Sequence, residues 1–172
     1  NVVIEEFTGV RCPNCPQGHD IIANIKAANP NRVFSVSLHP QNSLGAPYSY
    51  SAHDFRTAIA TDLMMNYFGW PGFEPVAAID RKLFSGETYI LLDKSAWTTK
   101  VAAELAATTP VNLSLSSNFD STNNEVTVVA ELHYTQNVTE ENKLTILIAE
   151  SDIVTAQLDG ADVDTFYNHK DV

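Results

Sequence analysis

The chain of 172 residues is long enough for one full domain and part of a second, and its 44% hydrophobic, 18% charged composition is that of a folded globular protein. Ten Lys and Arg against 21 Asp and Glu leave a net charge of −11, a field that repels phosphate backbones and makes nucleic acid an unexpected partner. No apolar run reaches the roughly 18 residues of a membrane-spanning helix, and two cysteines are too few for a disulfide scaffold.

Residues 2–7 carry Val2, Val3, Ile4 and Phe7 and read as a buried strand. A chain that opens inside a strand is expected to have lost leader or tether residues upstream. After the cysteine segment, Ile21, Ile22, Ile25 and Ala28 recur at helical spacing until Asn29-Pro30 ends the helix. Val33 to Leu38 is β-branched and alternating, which completes a βαβ unit with two parallel strands. Residues 39–51, with Pro40, Gly45 and Pro47, read as a long loop, and its Tyr48 and Tyr50 are candidates to line a groove. Phe55, Ile59, Leu63 and Tyr67 predict a second amphipathic helix that stops at Gly69. Val76 to Ile79 is a strand that Ser85-Gly86 turns into another at 88–92. Trp97, Val101 and Leu105 then mark a third helix capped by Asp93 or Ser95.

At Pro110 the hydrophobic period switches from 3.6 to 2. Val111, Leu113 and Leu115, then Val126 to Tyr134, then Leu144, Ile146 and Ile148 alternate with polar residues across turn-rich connections. Three successive antiparallel strands predict a partial, Ig-like β-sandwich. The expected division is residues 1–108 as an α/β domain and 109–172 as an apparently truncated β-sandwich domain.

The chemistry-bearing segment is Cys12-Pro13-Asn14-Cys15. A CxxC is a redox pair, a permanent disulfide or half a zinc site. Lying between a strand and a helix, Cys12 is expected at the helix N-terminus, where free N–H groups and the macrodipole stabilise a thiolate, with Arg11 adding positive charge. Cys15 would fall one turn further on, within reach of a mixed disulfide on Cys12. An exposed, acidified attacking sulfur and a sheltered resolving one are what thiol–disulfide exchange requires. Zinc would instead recruit His19, four residues after Cys15, with His39 or His53, but there is no second CxxC. A disulfide closing so short a loop gains little chain entropy, which weakens a purely structural role.

Ile4-Glu5-Glu6-Phe7-Thr8-Gly9, Cys12-Pro13-Asn14-Cys15-Pro16 and Gly18-His19 together resemble the thioredoxin superfamily. More narrowly, they resemble the lipoproteins related to the twenty-eight-kilodalton outer-membrane protein of Bacteroidetes. Glu74-Pro75 before Val76-Ala77-Ala78-Ile79-Asp80-Arg81 is similar to that family's proline-strand-Asp-Arg segment, and Tyr167 to Val172 is similar to part of its C-terminal β-domain.

The resemblance implies an α/β thioredoxin-like domain with a mixed sheet, in a cell-envelope protein with a possible lipid anchor upstream. It implies Cys12 as nucleophile, Cys15 as resolving thiol, and Glu6 as a buried acid that relays a proton to or from Cys15. Pro75 would be a cis-proline facing the sulfurs and presenting backbone to substrate, and the charged Glu74 before it departs from the thioredoxin pattern. Pro13, Asn14, Pro16 and His19 complete the motif, although His19 has no thioredoxin role. Two functions follow. One is a thiol–disulfide oxidoreductase acting on exported protein or small-molecule disulfides, with no cofactor or metal. The other is a surface-exposed binding or structural lipoprotein with an idle disulfide.

Overall fold

A computed structural model describes residues 1–172. They divide into two compact units, Asn1–Ala106 with Ile148–Val172, and Ala107–Leu147.

The first unit is built on a five-stranded mixed sheet of order β3-β2-β1-β4-β5. Its strands are β1 (Val2–Phe7), β2 (Val33–Pro40), β3 (Arg56–Thr57), β4 (Val76–Ile79) and β5 (Leu92–Asp93). β1 pairs in parallel with β2, from Val2 opposite Val33 to Phe7 opposite Leu38, as the βαβ reading requires. β4 lies antiparallel on the other side of β1. Helix α1 (Cys15–Ala28) makes the crossover, and α3 (Lys94–Ala106) begins just after Asp93, whose Oδ1 accepts from the Ser95 N–H at 2.9 Å. Between β3 and β4, α2 (Ala58–Asp62) continues as a π-helical turn over Leu63–Phe68 and ends at Gly69, which takes φ 78°.

Alternation along the strands separates two cores. Val2, Ile4, Ala77 and Ile79 face α1 and α3 and pack with Ile22, Ile25, Trp97 and Val101. Phe7, Val76 and Ala78 face the α2 side and pack with Leu63, Met64 and Phe68. The two-residue period therefore sends Glu6 to the α1 face with Ile4 and Glu5 to the opposite one. There Glu5 accepts a two-pronged contact from Arg81, Nε to Oε2 at 2.7 Å and Nη2 to Oε1 at 2.6 Å. The Asp-Arg segment after β4 thus serves to neutralise Glu5.

Beyond residue 106 the organisation differs from the expected single β-domain. β6 (Val111–Asp120) and β7 (Glu125–Tyr134) form one hairpin, and β8 (Ile153–Asp159) and β9 (Asp162–His169) another, each a separate two-stranded sheet. Residues 144–148, read as a third strand from their alternation, form none. Only the β6–β7 hairpin belongs to the second unit, while β8–β9 belongs with the first. Within the first unit, residues 88–91 also lack the expected strand, and β5 supplies only two residues to the sheet. Period alone cannot distinguish a strand from an extended segment that finds no partner.

Candidate functional site: a covered Cys12–Cys15 pair

Cys12 and Cys15 are joined in a disulfide with their Cα atoms 5.4 Å apart. Cys15 is the first residue of α1, after Asn14 at the N-cap and before Pro16 in the first turn. Cys12 therefore precedes the helix, in a tight turn where its carbonyl accepts from the Cys15 N–H at 3.3 Å and its own N–H reaches Gly9 at 3.0 Å. Pro13 is half-buried, Asn14 exposed and Pro16 buried.

Two expectations are corrected here. Cys12 is 1% exposed and Cys15 0%, so the attacking sulfur is not on the surface. Arg11 turns away to the 46–48 loop, where Nε donates to the Ala46 carbonyl and Nη2 to that of Pro47, both at 2.8 Å, and its guanidinium stacks over Tyr48. Tyr48, which itself stacks on Tyr50, thus holds Arg11.

The cover comes from β8. The Leu158 N–H donates to Val10 at 2.8 Å and the Gly160 N–H to Pro13 at 2.9 Å. The Gln157 side-chain amide donates to the carbonyls of Gly9 and Cys12, both at 3.2 Å, from a position 0% exposed. A register shift between Thr155 and Gln157 buries three consecutive residues, Thr155, Ala156 and Gln157, as a β-bulge does. Four contacts thus occupy carbonyls of the loop that carries Cys12. Gly9 is required in that loop, because a Cβ there would lie 2.4 Å from the Leu44 carbonyl oxygen.

Behind α1 lies Glu6, 1% exposed, with Oε1 lacking a hydrogen-bond partner. Burial, and then the nearby Glu74, raise its pKa well above the ordinary carboxyl value, so it holds a proton where exposed carboxylates do not. Gly18, one turn after Cys15, makes the space: a Cβ there would meet Glu6 Oε1 at 2.7 Å, Pro75 Cγ at 3.0 Å and Trp97 at 3.1 Å. The Glu74–Pro75 bond is cis and both residues are buried, so Pro75 packs against α1 beside Glu6. Glu74 accepts from Asn42 Nδ2 at 2.6 Å and is raised in pKa by burial.

His19 joins Glu6 to the second half of the unit. Its Nε2 is 3.0 Å from Thr8 Oγ1 and 3.6 Å from Glu6 Oε2, and its Nδ1 is 2.6 Å from the Tyr167 hydroxyl on β9. Burial lowers its pKa to about 4, so the ring is neutral near pH 7. A cavity of about 230 Å³ opens beside it, lined by Glu6, His19, His39, Tyr167, His169 and Lys26 among others. Both ring nitrogens of His39 and Nε2 of His169 are buried without partners. Burial lowers His39 to about 3 and His169 to about 4. The cavity wall is completed by Asp171, which pairs with Lys26 and accepts from Ser35 Oγ at 2.5 Å.

No group of three or more His, Cys, Asp or Glu is arranged to hold a metal ion. Of the histidines weighed as zinc ligands, His19 is engaged by Thr8 and Tyr167, His39 faces the cavity, and His53 stacks on Phe55. The disulfide engages both sulfurs a zinc ion would need.

Gln157 escaped the sequence reading, and Tyr167 and His169 entered it only within the tail similar to a C-terminal β-domain, with no role at the site. The available cue for Gln157 was polar residues at alternating positions of an otherwise apolar strand, Thr155 and Gln157 between Val154, Ala156 and Leu158.

No helix is long and apolar enough to cross a membrane. No family model and no curated protein matches the chain. Among solved structures the chain is similar to HBP35 of Porphyromonas gingivalis, at 24% identity and a TM-score of 0.49, over 68% of this chain. The chain spans little more than a third of that protein, 37% of its length.

Proposed function

We propose that the unit of residues 1–106 and 148–172 is a thioredoxin-like domain of a cell-envelope protein, and that its Cys12–Cys15 pair exchanges disulfides. Its substrates are exported protein or small-molecule disulfides, with Cys12 attacking and Cys15 resolving. Pro75 and Glu74 border the substrate side, and Pro13, Asn14 and Pro16 shape the turn. The β6–β7 hairpin, in this reading, is a piece of an Ig-like sandwich, and a lipid anchor upstream holds the protein at the outer membrane.

The observation that carries the redox reading is Glu6. A carboxylic acid 1% exposed, without a partner for Oε1 and set against Gly18 one turn from Cys15, costs stability with no packing return. A protonated acid behind a resolving thiol supplies the proton that a leaving thiolate takes up. A mere scaffold gains nothing from it.

One observation favours the second reading, a surface lipoprotein with an idle bridge: both cysteines are buried, and β8 packs on the loop that carries Cys12. The deciding measurement is the reduction potential of the pair, together with trapping by Cys15→Ser. A potential between those of thioredoxin and the strong periplasmic oxidants, with mixed disulfides accumulating on Cys12, supports exchange. A potential below about −300 mV and no trapped partner supports the structural bridge.

A further inference from the structure

We propose that His19 and Tyr167 form a proton relay that connects Glu6 to the water of the adjoining cavity. This inference rests on the exchange reading above and assigns a role to two residues outside the CxxC.

The geometry runs in one line. Tyr167 Oη is 2.6 Å from His19 Nδ1, and His19 Nε2 faces Glu6 Oε2 at 3.6 Å and Thr8 Oγ1 at 3.0 Å. A phenol is the natural donor to a neutral imidazole, so the Tyr167 O–H donates to Nδ1 and the remaining ring proton sits on Nε2. That proton points toward Thr8 and Glu6. The 3.6 Å gap exceeds hydrogen-bond reach and closes by a small rotation of either side chain or through one water. The far end opens on a cavity of about 230 Å³, room for several waters, whose wall includes Tyr167.

A thiolate from a protein or small-molecule thiol attacks Cys12 Sγ. The S–S bond breaks, and its electron pair leaves on Cys15 Sγ. That sulfur takes the Glu6 proton. Glu6 regains a proton from His19 Nε2 as His19 Nδ1 takes the proton of Tyr167, and Tyr167 recovers one from cavity water. A second thiolate attacks the reductant's sulfur in the mixed disulfide, releasing the reductant as a disulfide and Cys12 as a thiolate. The transfers at His19 move together, because burial disfavours both the imidazolium and the phenolate.

The charged and titratable groups around the relay are Glu6 on β1, His39 on β2, His169 on β9 and Glu74 before β4, with Lys26 of α1, Lys170 and Asp171 on the cavity wall. Asp20 on α1 and Asp159 and Asp164 of the β8–β9 hairpin further disfavour the Tyr167 phenolate. Hence the test follows a pH profile and not a single rate. Rates of Cys12–Cys15 reduction by dithiothreitol are measured from pH 6 to 9 on the whole chain by alkylation quench. Tyr167→Phe keeps the ring and is expected to slow reduction about tenfold, less than the roughly 10²–10⁴-fold of a lost general acid because Glu6 itself remains, and to change the shape of the profile. Its equilibrium reduction potential should stay at the wild-type value. The 15N shifts of His19 should show Nδ1 as acceptor in the wild type and a mixed tautomer in Tyr167→Phe. Superimposable pH profiles, or a slowing fully accounted for by a changed potential, overturn the relay and leave the exchange reading standing. A wild type that exchanges with no thiol at any pH overturns that reading itself, and the relay with it.

Discussion

The two hairpins of this chain are both two-stranded antiparallel sheets and have opposite fates. β6–β7 alternates almost without fault, and Leu113 opposite Leu132 and Phe119 opposite Val126 build an apolar ladder on one face. Yet Leu115 and Phe119 are each 60% exposed and no residue of either strand is buried. β8–β9 alternates less cleanly, breaks register at a bulge, and carries Thr155, Gln157 and His169 into the interior of its unit. Alternation tells which face of a strand is apolar. It does not tell what meets that face. The hairpin that packs does so through polar atoms, the Gln157 amide adding a second hydrogen bond to the carbonyls of Gly9 and Cys12, each of which already accepts one within its own loop.

The contrast is broken most decisively by placing a charge on each hairpin. Ala156→Arg puts an unpaired guanidinium where 3% of the residue is exposed, and should lower unfolding stability by more than about 3 kcal/mol in urea titration. Equal tolerance of arginine at Ala156 and Leu115 would mean that β8 does not pack as described.

Gln157→Ala tests the polar cover itself. It removes the donors to Gly9 and Cys12 and should cost about 1–3 kcal/mol, the range for buried groups left unsatisfied. Because the same contacts pin β8 to the loop that carries the buried Cys12, reduction of Cys12–Cys15 by a small thiol should quicken severalfold. Loss of stability with no change in that rate would separate the packing of β8 from access to the sulfurs.

The pH dependence sharpens the comparison further, since the buried titratable groups lie in the unit that contains β8–β9. His19 and His169 are lowered to about 4 and His39 to about 3, each mainly by burial, so the unfolded chain takes up protons first as pH falls below about 6.5. Stability is therefore lost from about 6.5 down toward 4. Glu6 acts in the opposite sense. Its raised pKa means the folded state holds that proton more tightly, so its contribution is full in acid and declines as pH rises from the ordinary carboxyl range through the raised value. His39→Gln should reduce the acid-side loss by about a third, one histidine in three, read as the urea midpoint against pH. Glu6→Gln should leave the acid-side loss in place and lessen the decline on the upper side, the part due to the raised Glu74 and Asp80 remaining.

The smallest effect is expected at Leu115→Arg. A side chain 60% exposed leaves unfolding stability within about 0.5 kcal/mol of the wild type. A larger loss would show that the β6–β7 face is covered in solution.

Much of the first unit was legible because its instructions are local. The helical spacing from Ile21 to Ala28, the β-branched run at Val33 and the proline before Val76 each announce an element within a few residues. The site was half legible. The strand-turn-helix context of Cys12 and Cys15 identifies a special pair, and the face on which Glu6 lies follows from its parity with Ile4. Cys12 was expected exposed because nothing nearby hides it. What hides it, Gln157, is 145 positions away, and Tyr167 meets His19 across 148. Contacts at that range leave no periodic mark on either partner. The same holds for residues 144–148, where alternation without a neighbouring strand gives no ladder.

Because the first unit is written in two stretches of sequence, its last strands must return across the whole of residues 107–147 before they find their places. Loop-closure entropy grows only slowly with length, so this arrangement costs little at equilibrium. Its effect is on order of assembly. The β1–α1–β2 core joins near neighbours and is expected to form early, while pairings separated by 145 to 148 residues come late. The segment that forms last is also the one that opens at least cost, as a cooperative part of the whole. In native-state hydrogen exchange, the amides of Leu158 and Gly160 should therefore exchange together, through a partial opening well below global unfolding, while those of Ile4 and Ile79 wait for the entire unit to unfold.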